Sequence, residues 1–158
     1  MFIVSLNKKR FILIAAAAVA AAIIVTACVI VFRTQAQTPP DTITPEGSDT
    51  VSALARTPEE EQSFLRSFGI KPRPDSRRSE NVTIPREFSD AYEEYNKLQR
   101  KTGFDLSRYR GQTAVKVTYD TGKMSAVLLI INGRVAGAHL SSGIQGEAYK
   151  AINYGKTR

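Results

Sequence analysis

The sequence predicts an α+β protein with an N-terminal transmembrane helix and a small two-layer domain, in which about two helices pack on one face of a three- to four-stranded antiparallel sheet. Three observations support this prediction. Residues 11–32 are apolar and uncharged, residues 85–101 have helical periodicity, and Asn132-Gly133 separates two apolar segments. The predicted sections are a cytoplasmic N-terminus (1–10), the transmembrane helix (11–32), a Pro-, Thr- and Ser-rich linker (33–56) and an extracytoplasmic domain (57–158).

The segment from Phe11 to Phe32 is long and apolar enough to span a bilayer. Its 22 residues would extend roughly 33 Å as a helix, slightly more than a hydrocarbon core of about 30 Å. Twelve of them are Phe, Ile, Leu or Val, which together favour insertion by roughly 4 to 7 kcal/mol. Lys8, Lys9 and Arg10 precede the segment and only Arg33 follows it directly, so the positive-inside rule predicts a cytoplasmic N-terminus and an external C-terminal domain.

Two alternatives compete with a permanent anchor. A cleavable signal peptide has a shorter apolar region, and the nearest small-residue cleavage site, around Ala36, comes after Arg33. Val25-Thr26-Ala27-Cys28 resembles the lipobox of bacterial lipoproteins, in which the cysteine is acylated and becomes the mature N-terminus. Because residues 29–32 continue the apolar run, we favour a single-pass signal anchor, with a lipoprotein anchored at Cys28 as the alternative. Cys28 is the only cysteine, so the external part has no disulfide and no thiol nucleophile.

Residues 33–56 are predicted to be a flexible linker. Pro39, Pro40 and Pro45 interrupt regular structure, and polar residues dominate without an apolar period. The 102 residues from Thr57 to Arg158 suit one hydrophobic core and are too few for two domains.

The external domain is predicted to begin with a helix. Thr57 is a suitable N-cap, Pro58 suits the first helical position, Glu60 completes a capping box, and Gly69 ends the helix. Its apolar face consists of Phe64, Leu65 and Phe68. The charged, proline-containing stretch 71–80 is predicted to be a loop, and residues 81–84 a short strand.

A second helix is predicted to begin at Pro85 and to end before Gly103. Arg100 and Lys101 suit its negative C-terminal end, and its apolar residues recur at helical spacing. These residues are Phe88, Ala91, Tyr92, Tyr95 and Leu98. Residues 104–109 are predicted to form a compact turn whose Phe, Leu and Tyr close the edge of the core.

Three strands are predicted over residues 113–119, 125–131 and 134–141. In the first, Val115, Val117 and Tyr119 share one face, and Lys116 and Thr118 share the other.

The turn Asn132-Gly133 favours a type I′ hairpin between the second and third strands, with Ile130 opposite Val135 and Leu129 opposite Ala136. Both faces of the second strand are apolar. It should therefore be central, covered on both sides or on one side plus an interface. A short helix is predicted around residues 147–152.

Three segments carry a family resemblance: FLRSFG (64–69), VTIPREFSDAYEEYNKLQRKTGFDLSRYRG (82–111) and INGRVAGAHLSSG (131–143). They resemble an uncharacterised family, a domain of unknown function in single-pass membrane-anchored proteins of Gram-positive, largely clostridial, bacteria. The resemblance runs from Phe64 to Gly143, and FDLSRYRG is its most specific part. It implies an envelope location and no activity. The family pattern often has an acidic residue near the position of His139, so the resemblance gives this histidine no role.

The sequence predicts no catalytic, cofactor-binding or metal-binding residue. His139 is the only histidine, so neither a two-histidine metal site nor a convincing catalytic triad is expected. Glu59 to Glu61 lie in the first turn of the first predicted helix, where carboxylates stabilise the helix dipole. Glu93 and Glu94 are adjacent on the solvent face of the second helix, and adjacency alone does not indicate a glycosidase pair.

Charge suggests one candidate binding region. The external part carries 19 basic and 15 acidic residues, a net charge of +4. Lys71, Arg73, Arg77 and Arg78 lie close together in the predicted loop and are candidates for contact with anionic lipid or wall polymer. A solvated loop is the simpler alternative. Nucleic acid is not an expected partner, because this loop is predicted to lie outside the cell.

These observations predict a membrane-tethered extracytoplasmic interaction domain, without catalysis, that binds a protein or an envelope polymer. The alternative is a cell-envelope enzyme or enzyme inhibitor. It would require a concave pocket where Glu, Ser or His139 side chains converge with perturbed pKa values. A one-pass sensor is a third possibility, but a cytoplasmic piece of about ten residues is too short to carry a signal output by itself.

Overall fold

The computed structural model describes residues 37–47, 49–144 and 147–152. The predicted membrane span from Phe11 to Phe32 and the lipobox at Cys28 lie outside these ranges. Within them, no helix combines the length and the hydropathy that a membrane crossing needs.

The described residues form a small α+β domain with two helices and two antiparallel sheets, which confirms the predicted class. One sheet pairs two short strands, β1 and β2, and the other has five strands in the order β3-β4-β5-β6-β7, one more than the predicted maximum. The helices are α1 (Pro58–Ser67) and α2 (Asp90–Arg100). The strands are β1 (Thr42–Ile43), β2 (Val51–Ser52), β3 (Arg78–Thr83), β4 (Thr113–Asp120), β5 (Ser125–Ile131), β6 (Arg134–Ser141) and β7 (Lys150–Ala151).

Both faces of the five-stranded sheet are covered, each by one helix. On the first face, Val117 and Leu128 belong to the same buried cluster as Phe64 and Leu65 of α1. On the second face, Leu129 and Ile131 are buried in a cluster against which Tyr92 and Tyr95 of α2 pack. The prediction that both helices share one face is therefore wrong. The cause is β5, whose apolar side chains point alternately to both sides and need cover on both.

The linker prediction is also wrong for the described part of residues 33–56. Ile43, Val51, Ala53 and Ala55 are buried in the cluster of the first face. The backbone also pairs with β6, since Val135 N–H donates to the carbonyl of Ala53 at 2.8 Å. Apolar side chains at alternating positions 51, 53 and 55 are a strand pattern, which the neighbouring prolines and polar residues obscured.

The central hairpin confirms its predicted turn. Asn132 and Gly133 have φ of 51° and 71°, as a type I′ turn requires. Ile130 pairs with Val135 as predicted, but Leu129 pairs with Gly137 instead of Ala136, because a β-bulge shifts the register between Leu129 and Ile130.

The ends of the helices are set by local capping. The Thr57 hydroxyl accepts from the Glu60 N–H at 3.3 Å, and Gly69 follows α1 with φ of 73°, as predicted. However, α2 begins at Asp90 after the N-cap Ser89 instead of at Pro85. Ile84 is held in an extended pairing, with its N–H bonded to the Gln112 carbonyl at 2.9 Å, so the helix cannot begin directly after it.

Two polar side chains of α2 organise the segment that follows the helix. Asn96 and Gln99 are fully buried. The Asn96 amide donates to Asp105 Oδ1 at 2.9 Å, and its oxygen accepts from the Leu106 N–H at 2.8 Å. Gln99 Oε1 accepts from the Ala138 N–H of the bulged strand at 2.8 Å. The Asn96 contacts fix the 104–109 turn, whose apolar side chains Phe104, Leu106 and Tyr109 are buried as predicted, and the Gln99 contact joins α2 to β6.

The predicted C-terminal helix is absent from the described residues. Lys150 and Ala151 instead form β7, which pairs with Leu140 and His139 at the outer edge of β6. Hydrogen bonding to the edge of β6 is more favourable for this segment than the helix that its local sequence prefers.

Candidate functional site

The main candidate site is a cavity of about 570 Å³ between α2 and the second face of the five-stranded sheet. Strands β3 to β6 supply its floor, and α2 supplies one wall through residues such as Tyr92 and Tyr95. This volume lies within the range of about 300 to 1,000 Å³ that is common for small-ligand sites.

The floor of the cavity is polar along its middle. Side chains directly opposite each other across paired strands share a face, and the register aligns Thr118, Val127 and His139 in one row. A neighbouring row pairs Ser125 with Ser141. These two rows therefore contribute three hydroxyl groups and one imidazole to the cavity, and the side chain of Lys116 adds a positive charge to its floor.

His139 is held by α2. Its side chain lines the cavity, only 6% of the residue is exposed, and Nδ1 lies 2.8 Å from the Tyr95 hydroxyl oxygen. Burial lowers the pKa of His139 to about 4, and the charge of Lys116 adds to this lowering. Burial also raises the pKa of Tyr95. The pair is therefore neutral at pH 7.

This pairing determines what the imidazole can do. A phenol O–H donates more readily than it accepts, so we assign the Tyr95 proton to the hydrogen bond with Nδ1 and the ring proton to Nε2. The only lone pair of the neutral imidazole is then occupied. His139 can donate a hydrogen bond from Nε2 but is poorly suited to accept a proton.

A strip of aromatic rings lies along one side of the cavity. Tyr149 is 49% exposed, and its ring lies 4.4 Å from that of His139 and 5.4 Å from that of Tyr95, centroid to centroid. Tyr92 contacts Tyr95 in turn, at 5.5 Å. The strip thus presents one accessible ring, supported by the buried ring of His139 and by the partly buried rings of Tyr92 and Tyr95.

A second, smaller cavity of about 310 Å³ adjoins the first and shares Lys116 and Thr118 with it. Lys116 Nζ pairs with Glu80 Oε1 at 2.7 Å, and this contact lowers the pKa of Glu80. Arg78 lies opposite Thr118 across the β3-β4 pair and also lines the smaller cavity.

The four predicted basic residues do not form one patch. Arg73 pairs with Asp120 at 3.0 Å, and Arg77 pairs with Glu61 at 2.8 Å. Among the described residues, no ion pair involves Lys71 or Arg78. Of the four, only Arg78 lines the cavities described above.

The acidic residues at positions 59–61, 93 and 94 do not converge on the larger cavity. Glu61 is buried and bonded to Arg77 and Tyr119, Glu60 accepts from the Arg56 N–H, and Glu93 pairs with Arg110. Within the described ranges, the lining of the larger cavity includes no carboxylate, and no three His, Cys, Asp or Glu residues are grouped as metal ligands.

Sequence reasoning missed the site because its parts come from separate strands. Lys116 and Thr118 were assigned to the polar face of their strand, and that face is the floor of the cavity. Nothing in the sequence around Tyr149 indicated that this residue belongs to a binding site. Polar residues at alternate positions in β4 and β6 were the available clue, but their common location depends on the pairing register.

Comparison of the chain with protein-family models, with curated proteins and with solved structures gives no match. The resemblance to a clostridial membrane-anchored family stays a prediction.

Proposed function

We propose that this chain is a membrane-tethered extracytoplasmic interaction domain that binds a protein or an envelope polymer in the cavity between α2 and the sheet. The cavity supports this proposal, because it combines uncommitted hydroxyl groups with an accessible aromatic ring. The apolar segment from Phe11 to Phe32 would anchor the chain, with the N-terminus in the cytoplasm.

The alternative, an envelope enzyme or enzyme inhibitor, has one observation in its favour. A concave pocket exists, and Ser125, Ser141 and His139 meet in it. The state of His139 favours binding over catalysis, however. Its pKa is lowered to about 4 and its Nδ1 is engaged by Tyr95, so it is a weak general base near pH 7.

The unique histidine offers a direct binding assay. The full chain is purified in lauryldimethylamine oxide, which carries neither sugar nor phosphate, and the imidazole signals of His139 are followed by NMR while an envelope extract of the source organism is added. We expect a saturable change in these signals. Absence of any change would contradict binding in this cavity.

Two tryptophan variants on the same helix provide the matched control. Ala91 is exposed and lines the cavity, whereas Glu94 is exposed and does not line it. Ala91→Trp should obstruct the cavity and abolish the change, and Glu94→Trp should retain it. Equal behaviour of the two variants would place the interaction elsewhere.

Location is tested separately with a cysteine label. In a Cys28→Ala background, Thr113→Cys introduces one thiol at an exposed position of β4 that lines neither cavity. A membrane-impermeant maleimide should label it in intact cells that have no outer permeability barrier. Labelling only after lysis, or recovery of the full-length chain in the cytosol, would contradict an external domain.

The mass of the mature wild-type N-terminus distinguishes the anchor from a lipoprotein at Cys28.

A further inference from the structure

The two adjoining cavities extend across the sheet from β6 to β3 as one groove, since Lys116 and Thr118 line both. We propose that this groove binds an anionic saccharide chain, with an uncharged sugar ring in the larger cavity and an anionic substituent at Arg78. This inference rests on the proposed binding function and specifies the chemical class of the ligand.

The length of the groove favours a chain over a single small molecule. The row that runs from Arg78 through Thr118 and Val127 to His139 crosses three strand spacings, or about 14 Å. A ligand that reaches both ends is longer than one six-membered ring. A polymer of ring units meets this requirement.

Charge favours an uncharged group in the larger cavity. Lys116 is already paired with Glu80 at 2.7 Å, and His139 is neutral. An anion placed deep in this cavity would lose hydration without gaining an uncommitted counter-charge.

The hydroxyl groups favour a ligand rich in hydroxyls. In the described part of the chain, the hydroxyls of Thr118 and Ser125 have no hydrogen-bond partner, and Ser141 Oγ accepts only from the Gly143 N–H, at 3.1 Å. Each of the three can donate a hydrogen bond, and His139 Nε2 adds a fourth donor. A purely apolar ligand would leave these groups desolvated and unpaired, at a cost in affinity.

Tyr149 supplies the apolar contact that a sugar ring also needs. The residue is 49% exposed, and its ring is supported by those of His139 and Tyr95. A rigid, partly accessible ring presents apolar area at low entropic cost, which suits the C–H face of a pyranose.

Arg78 supplies the anion site at the other end. In the described chain it makes no ion pair, and it lies beside Thr118 in the smaller cavity. A guanidinium binds phosphate or carboxylate through two parallel hydrogen bonds. The larger cavity would therefore bind neutral hydroxyl groups, and the Arg78 end of the groove would bind a negative charge.

To test this, the same envelope extract is treated chemically before it is added to the protein in the NMR assay of His139. Periodate oxidation, which cleaves the vicinal diols of sugars, should abolish the change in the His139 signals, whereas exhaustive protease digestion should preserve it. Loss after protease with persistence after periodate would identify a peptide ligand and overturn the saccharide assignment, while the proposed binding function would stand. No response to the untreated extract would overturn the proposed function itself.

Variants test the two ends of the groove. Arg78→Gln should weaken binding of the protease-digested extract about tenfold and reduce its salt dependence, whereas the matched control Lys71→Gln should leave both unchanged. Ser125→Ala should weaken binding without altering the salt dependence. Equal salt dependence of the wild type and Arg78→Gln would overturn the anion assignment.

Discussion

Glu61 has a structural role in the fold that its position in the sequence did not indicate. The sequence places it in a first-turn acidic cluster, which is a common solvent-facing feature. In the fold it is the only buried carboxylate of the described chain, with the Arg77 guanidinium bound to both of its oxygens at 2.8 Å and the Tyr119 hydroxyl donating at 2.7 Å. Arg77 and Tyr119 are distant in sequence, so this role could not be predicted from local pattern.

Replacing Glu61 with Gln should therefore destabilise the fold. The amide would lose the charge-assisted hydrogen bonds that the buried Glu61 carboxylate accepts from Arg77, whose own side chain is 32% exposed, at a cost of about 2 kcal/mol in the free energy of unfolding. Urea denaturation followed by circular dichroism measures this change. Glu80→Gln removes a fully exposed partner of Lys116 and is the control, expected to leave the midpoint unchanged. An unchanged midpoint for Glu61→Gln would show that the buried pair adds no stability.

His139 gives the domain a specific acid sensitivity. Its pKa in the folded protein is about 4, below the unfolded value of about 6.5. Between these values the unfolded chain binds more protons, so stability is fully present above about pH 6.5 and falls as the pH is lowered towards 4, by up to about 3 kcal/mol.

Unfolding free energies at pH 7 and pH 5, compared between the wild type and His139→Gln, should expose this dependence. The wild type should lose more stability than the variant over that interval. The NMR titration of the single imidazole gives its pKa independently, and a value near 6.5 would contradict the buried, neutral assignment.

At the level of elements, the strands were the most predictable part. The bounds of β5 and β6 agree with the prediction, because alternation and the Asn132-Gly133 turn are local signals. The bulge in β6 had no local signal, and beside it Gln99 of α2 accepts from the Ala138 N–H, a contact between residues distant in sequence. A β-carbon added at Gly137 would lie 3.0 Å from Gln99 Oε1, so this position has little room for a side chain.

The start of α2 yields a prediction about capping. The Ser89 hydroxyl accepts from the Tyr92 N–H at 3.4 Å. Ser89→Ala should lower the unfolding free energy by about 1 kcal/mol, and Ser89→Asp should retain most of the stability, because Asp is also a good N-cap. Thermal denaturation of the three proteins measures the order, and equal stability of Ser89→Ala and the wild type would contradict a capping role.

On the scale of the whole molecule, the sequence predicted the α+β class but not the arrangement of its layers. The apolar faces of β5 were compatible with cover on both sides or with cover on one side plus an interface. The sequence alone did not decide between these two arrangements. The segment 37–56 was the larger error, because its composition is that of a linker while Ala53 and Ala55 are buried. Two small side chains carry little hydrophobic signal, yet their backbone completes the edge of β6.

Hydrogen exchange of the full chain distinguishes a linker from a packed segment. The N–H of Ala55 donates to the Gly133 carbonyl at 2.8 Å, so we expect it to exchange as slowly as the amides at the centre of the hairpin. The Asp49 and Thr50 amides, which lie in the exposed segment just before β2, should exchange quickly and serve as the internal reference. Fast exchange throughout 51–55 would restore the linker interpretation.

The contact between Ala53 and Val135 has a consequence for biogenesis. A ribosome completes Ala53 long before Val135, so the early segment has no docking partner until most of the chain exists. Closing such a distant contact is slow compared with forming the local hairpin. The segment around Ala53 therefore stays undocked during most of the synthesis of the chain, a state in which a protease can attack it.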